Sequence, residues 1–585
     1  MCGIAGVLFR DPSQPQKVLI DFLNRLDQAI THRGPDDRGA FMDGSFGAIS
    51  RRLSIVDVAG GHQPICGQSP GIGIVYNGET YNYRDLRTEL VAKGRVFRTA
   101  SDTEVVLRLY EELGEASFER LEGMFAFCLW DLPRRVVYLV RDAFGMKPVY
   151  IYRDAERLAF CSELTPLLGL PRTDRRLDPI GLADYLTYRY INSPYTLYRH
   201  IERLPAGCYM RIPLDGGAPT IRNFCDLTDL ESDPATTVDE AQERLRTGLR
   251  DSVRDHLCGE VPIALLLSGG MDSSIIAALL NDLEVNLEAF NIGFPSVNEF
   301  EYSTAVAERY GIKVHNVAVE PKEIIRRASE IIGALDEPLA DPASFPLYIL
   351  CEHVRPHAKV VLSGEGADEL FAGYPQYRLH NDRPHAADFF ERWNIASHYF
   401  LEQRDVSQPQ WSSSRWRRTR KYFTGTTPLG AMATYDAKTR LPEDLMMKAD
   451  KILMRHSLEG RFPYLQRSLW RFARGLPDAW KLDQQGVGKR ILRDAFRTML
   501  PPTVFERPKM GFTVPTMAVL AAGQASLPEL LLALQSHEVA NYLALDRVNS
   551  LWERALAGEE SLGLRAWTLF VLLRWLAEVD VPSRS

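Results

Sequence analysis

The chain places a cysteine directly after its initiator methionine, in "MCGIAGVLF". Removal of that methionine, expected ahead of a small residue, leaves Cys2 with a thiol and a free α-amine. A thiol titrates near ~8.5 and an α-amine near ~7.7–8.0, so a proton passes between them at little cost. Cys2 then carries a nucleophile and its own base. Taken alone, the same cysteine reads more simply as a small buried hydrophobe. The residues that follow tip the balance: "THRGPDD", a guanidinium in "RRLSIVDV", an amide beside a glycine in "YNGETYN" and a carboxylate in "ASDTEVV".

A second chemistry sits in the other half. "VPIALLLSGGMDSS" is an apolar strand, a Ser-Gly-Gly turn and a helix start whose hydroxyls and unpaired N–H groups suit phosphate oxygens. The spacing is not that of a G-x-x-x-x-G-K-[ST] loop. "GVGKR" does not supply one either, because Asp483 stands at the first glycine and Arg490 at the hydroxyl residue. "VVLSGEGADELFAGY" adds a second strand end with Ser363, Gly364, Glu365 and Asp368, where a parallel sheet binds its ligands. "HVRPH" has the i,i+4 histidines of a zinc helix, but Val354 replaces the catalytic glutamate and Pro356 disrupts the turn, so no metal is expected there.

These residues need two scaffolds. At 585 residues the chain exceeds one core, and its ordinary 45% hydrophobic and 25% charged composition fits two globular domains. From Cys2 to Ile212 the apolar runs are short and turn-punctuated, with one clear helical stretch, "DTEVVLRLYEEL", which predicts packed sheets with flanking helices. A Gly-, Pro- and Asp-rich passage over 213–235 reads as a linker. From 236 to 585, strand-like "VPIALLL", "LEAFNIGF" and "AKVVLSG" alternate with amphipathic segments, which predicts a parallel α/β sheet. The formal charge of −7 argues against nucleic acid or acidic lipid as partners. Eight cysteines scattered without a CxxC pair point to a reducing, cytoplasmic compartment. The apolar start is too short for a targeting segment, and "LRAWTLFVLLRWLAEV" is too short and too charged to span a membrane, so it reads as a buried C-terminal helix.

The motifs behind Cys2, in their order, resemble the glutaminase domain of class II, N-terminal-nucleophile glutamine amidotransferases. SGGxDSS resembles the pyrophosphate loop of ATP pyrophosphatases. Together, over nearly the whole chain, they are similar to the glutamine-hydrolysing asparagine synthetase family. The resemblance implies an αββα glutaminase domain over 2–212 and a parallel α/β synthetase domain over 236–585. It implies that Cys2 attacks glutamine, that Asn77 and the Gly78 N–H form the oxyanion hole, that Arg52 takes the glutamine α-carboxylate, and that Glu79 and Asp102 hold its α-ammonium. For two of these a plainer reading stands beside it: Asn-Gly is a common hairpin turn, and Asp102 in "SDTE" suits a helix cap.

In the synthetase half the resemblance implies ATP bound by Leu266, Ser268, Gly270, Asp272, Ser273, Ser274, Ile292, Ser363 and Gly364. Lys489 would meet the phosphates, Asp272 and Asp368 Mg²⁺, and Glu365 the acyl-transfer centre. The expected reaction converts aspartate, glutamine and ATP to asparagine, glutamate, AMP and pyrophosphate through an acyl-adenylate. The same chemistry on another carboxylate, in specialised-metabolite or cell-envelope biosynthesis, stays open. A non-catalytic scaffold is opposed by the intact Cys2, Asn77, Asp272 and Glu365. An aspartate pocket needs a cation and an anion, for which Arg461 and Asp336, Glu337 or Asp341 are candidates, although those acids suit helix caps as well. A homodimer is expected only by analogy. The basic, aromatic run 414–423 reads as a solvated, phosphate-facing or interface segment, with no nucleic acid expected.

Overall fold

The computed structural model describes residues 2–381, 389–393, 418–506, 514–523 and 527–578. The short apolar runs of the first half become β1 (Cys2–Phe9), β2 (Asp37–Asp43), β3 (Phe46–Arg52), β4 (Ile65–Cys66), β5 (Ile72–Thr80), β6 (Gly123–Asp131), β7 (Val136–Arg141), β8 (Tyr150–Arg153), β9 (Arg157–Cys161), β10 (Ile201–Arg203), β11 (Cys208–Pro213) and β12 (Thr220–Asn223). They form two antiparallel sheets of six strands, β10-β8-β9-β1-β3-β2 and β12-β11-β7-β6-β5-β4.

Alternate residues of the two sheets, among them Ile4, Ala48, Val75, Trp130, Leu139 and Phe160, fill the space between them. The helix Gln16–Ala29 turns Leu19, Leu23 and Leu26 onto one outer face, and the helices Tyr83–Ala92 and Asp102–Leu113 cover the other. Strands covered on both sides read as continuous apolar runs, which is why "MFAFCLW" does not alternate. The result is an αββα sandwich. β12 lies inside the passage read as a linker, so this sheet runs on to Asn223.

The second half carries a parallel sheet of β13 (Ile263–Leu266), β14 (Glu288–Gly293), β15 (Lys313–Ala318), β16 (Val360–Leu362) and β17 (Glu459–Arg461). Their order is β15-β14-β13-β16-β17. It reverses between β13 and β16, so the loops leaving their carboxyl ends diverge and open a crevice. The late apolar stretch is the buried helix Gly563–Glu578. Among the described residues, no helix is long and apolar enough to cross a membrane.

Buried charge joins the halves. Arg33, fully buried, donates to the Cys2 carbonyl at 3.3 Å, to Glu163 at 3.1 Å and to Asp450 at 2.9 Å. Asp450 lies on the helix Met446–Arg455 of the synthetase half and also faces Lys147, 3.4 Å away. Burial works against its ionisation, but Arg33 and Lys147 outweigh burial and hold it below the usual carboxylate range. Asp450→Ala leaves Lys147 without its ion-pair partner and Arg33 with Glu163 alone, and breaking a buried pair costs about 3–5 kcal/mol. Calorimetry should show unfolding displaced to lower temperature; a trace like the wild type's would contradict this account of the seam.

Candidate active site

In the first site, β1 and β3 pair Cys2 with Arg52, and β5 brings Asn77 alongside. The Cys2 main-chain nitrogen donates to Asn77 Oδ1 at 3.0 Å, which aims the buried Asn77 Nδ2, without a hydrogen-bond partner, into the site. Asn77-Gly78 is not a hairpin turn; it lies within β5, opposite Ala126 and Phe125. Gly78 has φ +151°, and a Cβ there would lie 2.0 Å from the Met124 carbonyl oxygen, so only glycine lets the strands close here. Gln63 Nε2 stands 3.9 Å from Cys2 Sγ, fixed by two hydrogen bonds to the Tyr76 backbone. Burial pushes the Cys2 thiol up, and Arg52 only partly offsets it, so at neutral pH the sulfur is a thiol that needs a base.

The carboxylates form an anionic pocket. Asp102 accepts from the Thr80 and Thr103 N–H groups at 2.9 and 2.8 Å, yet burial keeps it up at about 6. Ser101 supplies the helix cap, so Asp102 faces the site as well as the helix start. Glu79 is raised well above its usual value by burial and by its neighbours Asp102 and Glu459, and its Oε2 has no hydrogen-bond partner. Two buried acids raised together are what a cationic ligand relieves. Arg52 donates to the carbonyls of Val56, Asp57 and Val58 at 3.0, 2.7 and 3.3 Å, clamping that loop with three of its five N–H groups.

Arg461, a candidate for the acceptor pocket, lies here instead. It is fully buried, bonded to Glu459 at 2.6 Å, 3.6 Å from Glu79, and donates to the His256 and Cys258 carbonyls. Side chains at both ends of β17 point to the same face, toward the glutaminase half, and the synthetase cavity is not lined by Arg461. Asp336 and Glu337 are likewise seam residues. Asp336 accepts from Leu164 and Thr165 and pairs with Lys451 at 2.8 Å, and Glu337 pairs with Arg203 and takes the Tyr150 hydroxyl at 2.6 Å.

The second site is a cavity of ≈ 380 Å³ in the crevice where the strand order reverses. Leu266, Ser268, Gly270, Asp272 and Ser273 line it from the β13 loop, Ile292 from β14, Ser363, Gly364, Glu365 and Asp368 from the β16 loop, and Lys489 from beyond. Ser274 is fully buried on the far side of its helix turn and does not line it. Gly269 has φ +71°, and a Cβ would lie 2.5 Å from the Ser303 nitrogen, so the glycine turn lets the loop pass close to the next helix.

Lys489 bridges Asp272 and Asp368 at 2.6 Å each, and these two carboxylates outweigh burial to raise its pKa. Gly373 makes room for them, since a Cβ would meet Asp368 Oδ1 at 1.7 Å. Two carboxylates facing one cavity suit a hard, oxygen-seeking cation such as Mg²⁺. Three lining cations went unread in the sequence: Arg378, Arg493 and Lys448. Lys448 Nζ lies 3.0 Å from Asp341 and 3.6 Å from Glu365. Of the basic, aromatic run, residues 414–417 lie outside the described residues, while Arg418 pairs with Asp184 over the Tyr195 ring.

Sequence comparison finds a family match for each half of the chain. Residues 244–577 match the family described as asparagine synthase, and residues 1–223 match the glutamine amidotransferase domain. Asparagine synthetase [glutamine-hydrolyzing] 1 of Bacillus subtilis is 32% identical, over 98% of this chain and 96% of its own. Asparagine synthetase B of Escherichia coli is 28% identical, over 91% and 86%. Among solved structures, the glutamine phosphoribosylpyrophosphate amidotransferase from B. subtilis aligns over 54% of this chain and 65% of its own, with 16% identity and a TM-score of 0.28. A cysteine site and a nucleotide-type cavity on one chain, matched nearly end to end, place this protein in the glutamine-hydrolysing asparagine synthetase family.

Proposed function

We propose that the chain makes asparagine from aspartate, with glutamine as nitrogen donor and ATP as activator. One observation supports this most directly. The acid pair Glu79 and Asp102 stands beside Cys2, while the opposite arrangement, Lys448 between Asp341 and Glu365, stands in the ATP-type cavity. The first suits the ammonium of glutamine. The second offers an acceptor a cation for its α-carboxylate and an anion for its α-ammonium, so Lys448 takes the part first given to Arg461.

In the first half-reaction Cys2 Sγ attacks the glutamine side-chain amide, and its proton passes to the α-amine exposed when the methionine is removed. Asn77 Nδ2 and the Gly78 N–H steady the oxyanion, and donors fixed beforehand make that stabilisation effective. The leaving nitrogen takes the proton and departs as ammonia; water then cleaves the thioester to glutamate. Arg52, with donors to spare beyond its loop clamp, receives the α-carboxylate.

In the second, an acceptor carboxylate oxygen attacks the α-phosphorus of ATP and pyrophosphate leaves. Ser268, Gly270 and Ser273 cradle the phosphates, with Lys489 as point charge, and Leu266 and Ile292 flank the base. Mg²⁺, held by Asp272 and Asp368, would supply charge neutralisation for the leaving pyrophosphate. Ammonia attacks the acyl carbon, AMP departs, and Glu365 accepts the surplus proton.

Three measurements test this. Cys2→Ala should abolish glutamine-dependent synthesis and leave ammonia-dependent synthesis near wild type, because nothing at the ATP cavity changes; equal loss of both would refute two separate sites. Glutamine affinity, measured on Cys2→Ala to exclude turnover, should weaken as pH falls through about 6, where Asp102 takes up a proton and stops attracting an ammonium. The weakening should approach about tenfold per pH unit; a flat profile would remove Asp102 from the glutamine pocket. With glutamine, ATP and Mg²⁺, aspartate should stimulate release of AMP, pyrophosphate and asparagine, and Lys448→Met should raise the aspartate KM by about 10–100-fold, the worth of a charged hydrogen bond. Glutaminase activity that aspartate leaves without asparagine or pyrophosphate would overturn aspartate as acceptor.

A further inference from the structure

At the amino-terminal edge of the synthetase sheet, on the far side of the Phe290 ring that lines the nucleotide cavity, three side chains from distant parts of the chain converge. Glu288 opens β14, His315 lies on β15, and His357 follows the helix Ser344–Val354. His315 Nε2 and His357 Nδ1 each lie 2.9 Å from the same oxygen, Glu288 Oε2. The three atoms all stand within 4.8 Å of one another. We propose that Glu288, His315 and His357 bind one borderline divalent cation of the Zn²⁺ class.

Two imidazole nitrogens and a carboxylate oxygen are ligands for Zn²⁺, whereas Mg²⁺ prefers oxygen alone. The ligands of a tetrahedral Zn²⁺, bound at ~2.0–2.1 Å, stand roughly 3.3 Å apart, so small side-chain rotations convert the present spacing into a coordination triangle. The surroundings already orient it. Lys313 Nζ takes the other Glu288 oxygen, Oε1, at 2.8 Å, which leaves Oε2 facing both rings. His315 stacks on Phe290 with centroids 4.6 Å apart and planes 8° from parallel, and His357 packs 5.1 Å from His315 and 5.4 Å from Phe290. Rings fixed this way lose little freedom on binding, as in sites whose outer contacts hold the ligands in place.

All three residues are partly exposed, at 34%, 28% and 40% of their side chains, so an ion reaches them from solvent and keeps water in its remaining positions. The position also sets the role. Glu288 begins the strand that carries the cavity residue Ile292, so a cation there ties β14, β15 and the turn before β16 together without touching the reacting groups. The i,i+4 pair in "HVRPH" is not the site. His353 Nδ1 is bonded to the Ile349 carbonyl at 3.0 Å, and only His357 joins the cluster.

The test uses the full chain, stripped with a chelator and titrated with Zn²⁺ against a chromophoric zinc indicator, with Co²⁺ absorption as a second reading. The wild type should take up one more equivalent than His315→Ala or His357→Gln, with affinity at that site reduced about tenfold or more in each. Visible Co²⁺ bands should appear in the wild type and be lost in both variants, while synthesis with ATP and Mg²⁺ stays at the wild-type rate. His357→Gln changes a partly exposed turn, so its result stands if His315→Ala fails to fold. Equal zinc uptake by the wild type and His357→Gln would place the ion elsewhere, on free thiols for instance, and overturn the proposal. So would the absence of any Zn²⁺ uptake by the wild type.

Discussion

The ion pair between Arg33 and Asp450 is the contact on which the rest turns. It spans 417 positions of sequence and holds, from one guanidinium, the Cys2 carbonyl, the buried acid Glu163 and a helix of the other domain. Neither charge is exposed, and each is held by a second partner as well, Arg33 by Glu163 and Asp450 by Lys147. The neighbouring pairs repeat the pattern: Lys451 with Asp336, Arg203 with Glu337 and Glu443, Arg461 with Glu79 and Glu459. Apolar surface would have joined the halves as firmly. Paired charges add directionality, because each must meet its own partner.

The two sites differ in charge balance: carboxylates are in excess around Cys2, whereas cations and carboxylates are matched around the cavity. Around Cys2 the carboxylates of Glu79, Asp102 and Glu459 outnumber the guanidinium among them, and burial pushes two of them up toward the neutral form. Around the cavity, Lys489, Lys448, Arg378 and Arg493 stand against Asp272, Asp368, Asp341 and Glu365, with cations reaching in from several elements.

Much of this was legible in the sequence because it is local. Cys2, "YNG", "SGGMDSS" and "SGEGADE" each keep their reacting groups within a few residues, on a strand end or the loop after it, and the fold only has to bring those ends together. The helix Asp102–Leu113 also fell where its apolar spacing put it. What failed was non-local. Nothing near Arg461, Asp336 or Glu337 says that His256, Leu164 and Arg203 come to meet them from 134 or more positions away, so the sequence does not tell seam charges from pocket charges. Ser274 differs from Ser273 only in which side of a helix turn it occupies. Lys448 had a faint signal, a lysine directly after the apolar "LMM", and at such burial a lysine is explained only by function or pairing. The Glu288 cluster was not legible from spacing, since strand register sets His315 beside Glu288 and a turn after a distant helix adds His357.

The helix Met446–Arg455 turns by about 100° per residue, so positions 448 and 450 lie roughly 200° apart on it. Lys448 therefore looks into the cavity while Asp450 looks back at Arg33, and Lys451 reaches Ser162 and Asp336. A single short rod is thus read from both sides. This limits how the protein could be re-engineered or shuffled. Cutting at the passage between the sandwich and the parallel sheet yields two polypeptides, but not two interchangeable modules, because this rod belongs by sequence to one and by contacts to both. A chimaera that keeps the ammonia-releasing half of one relative and the ligase half of another would have to carry residues 446–455 and their partners at 33, 147, 162 and 336 as one inherited block.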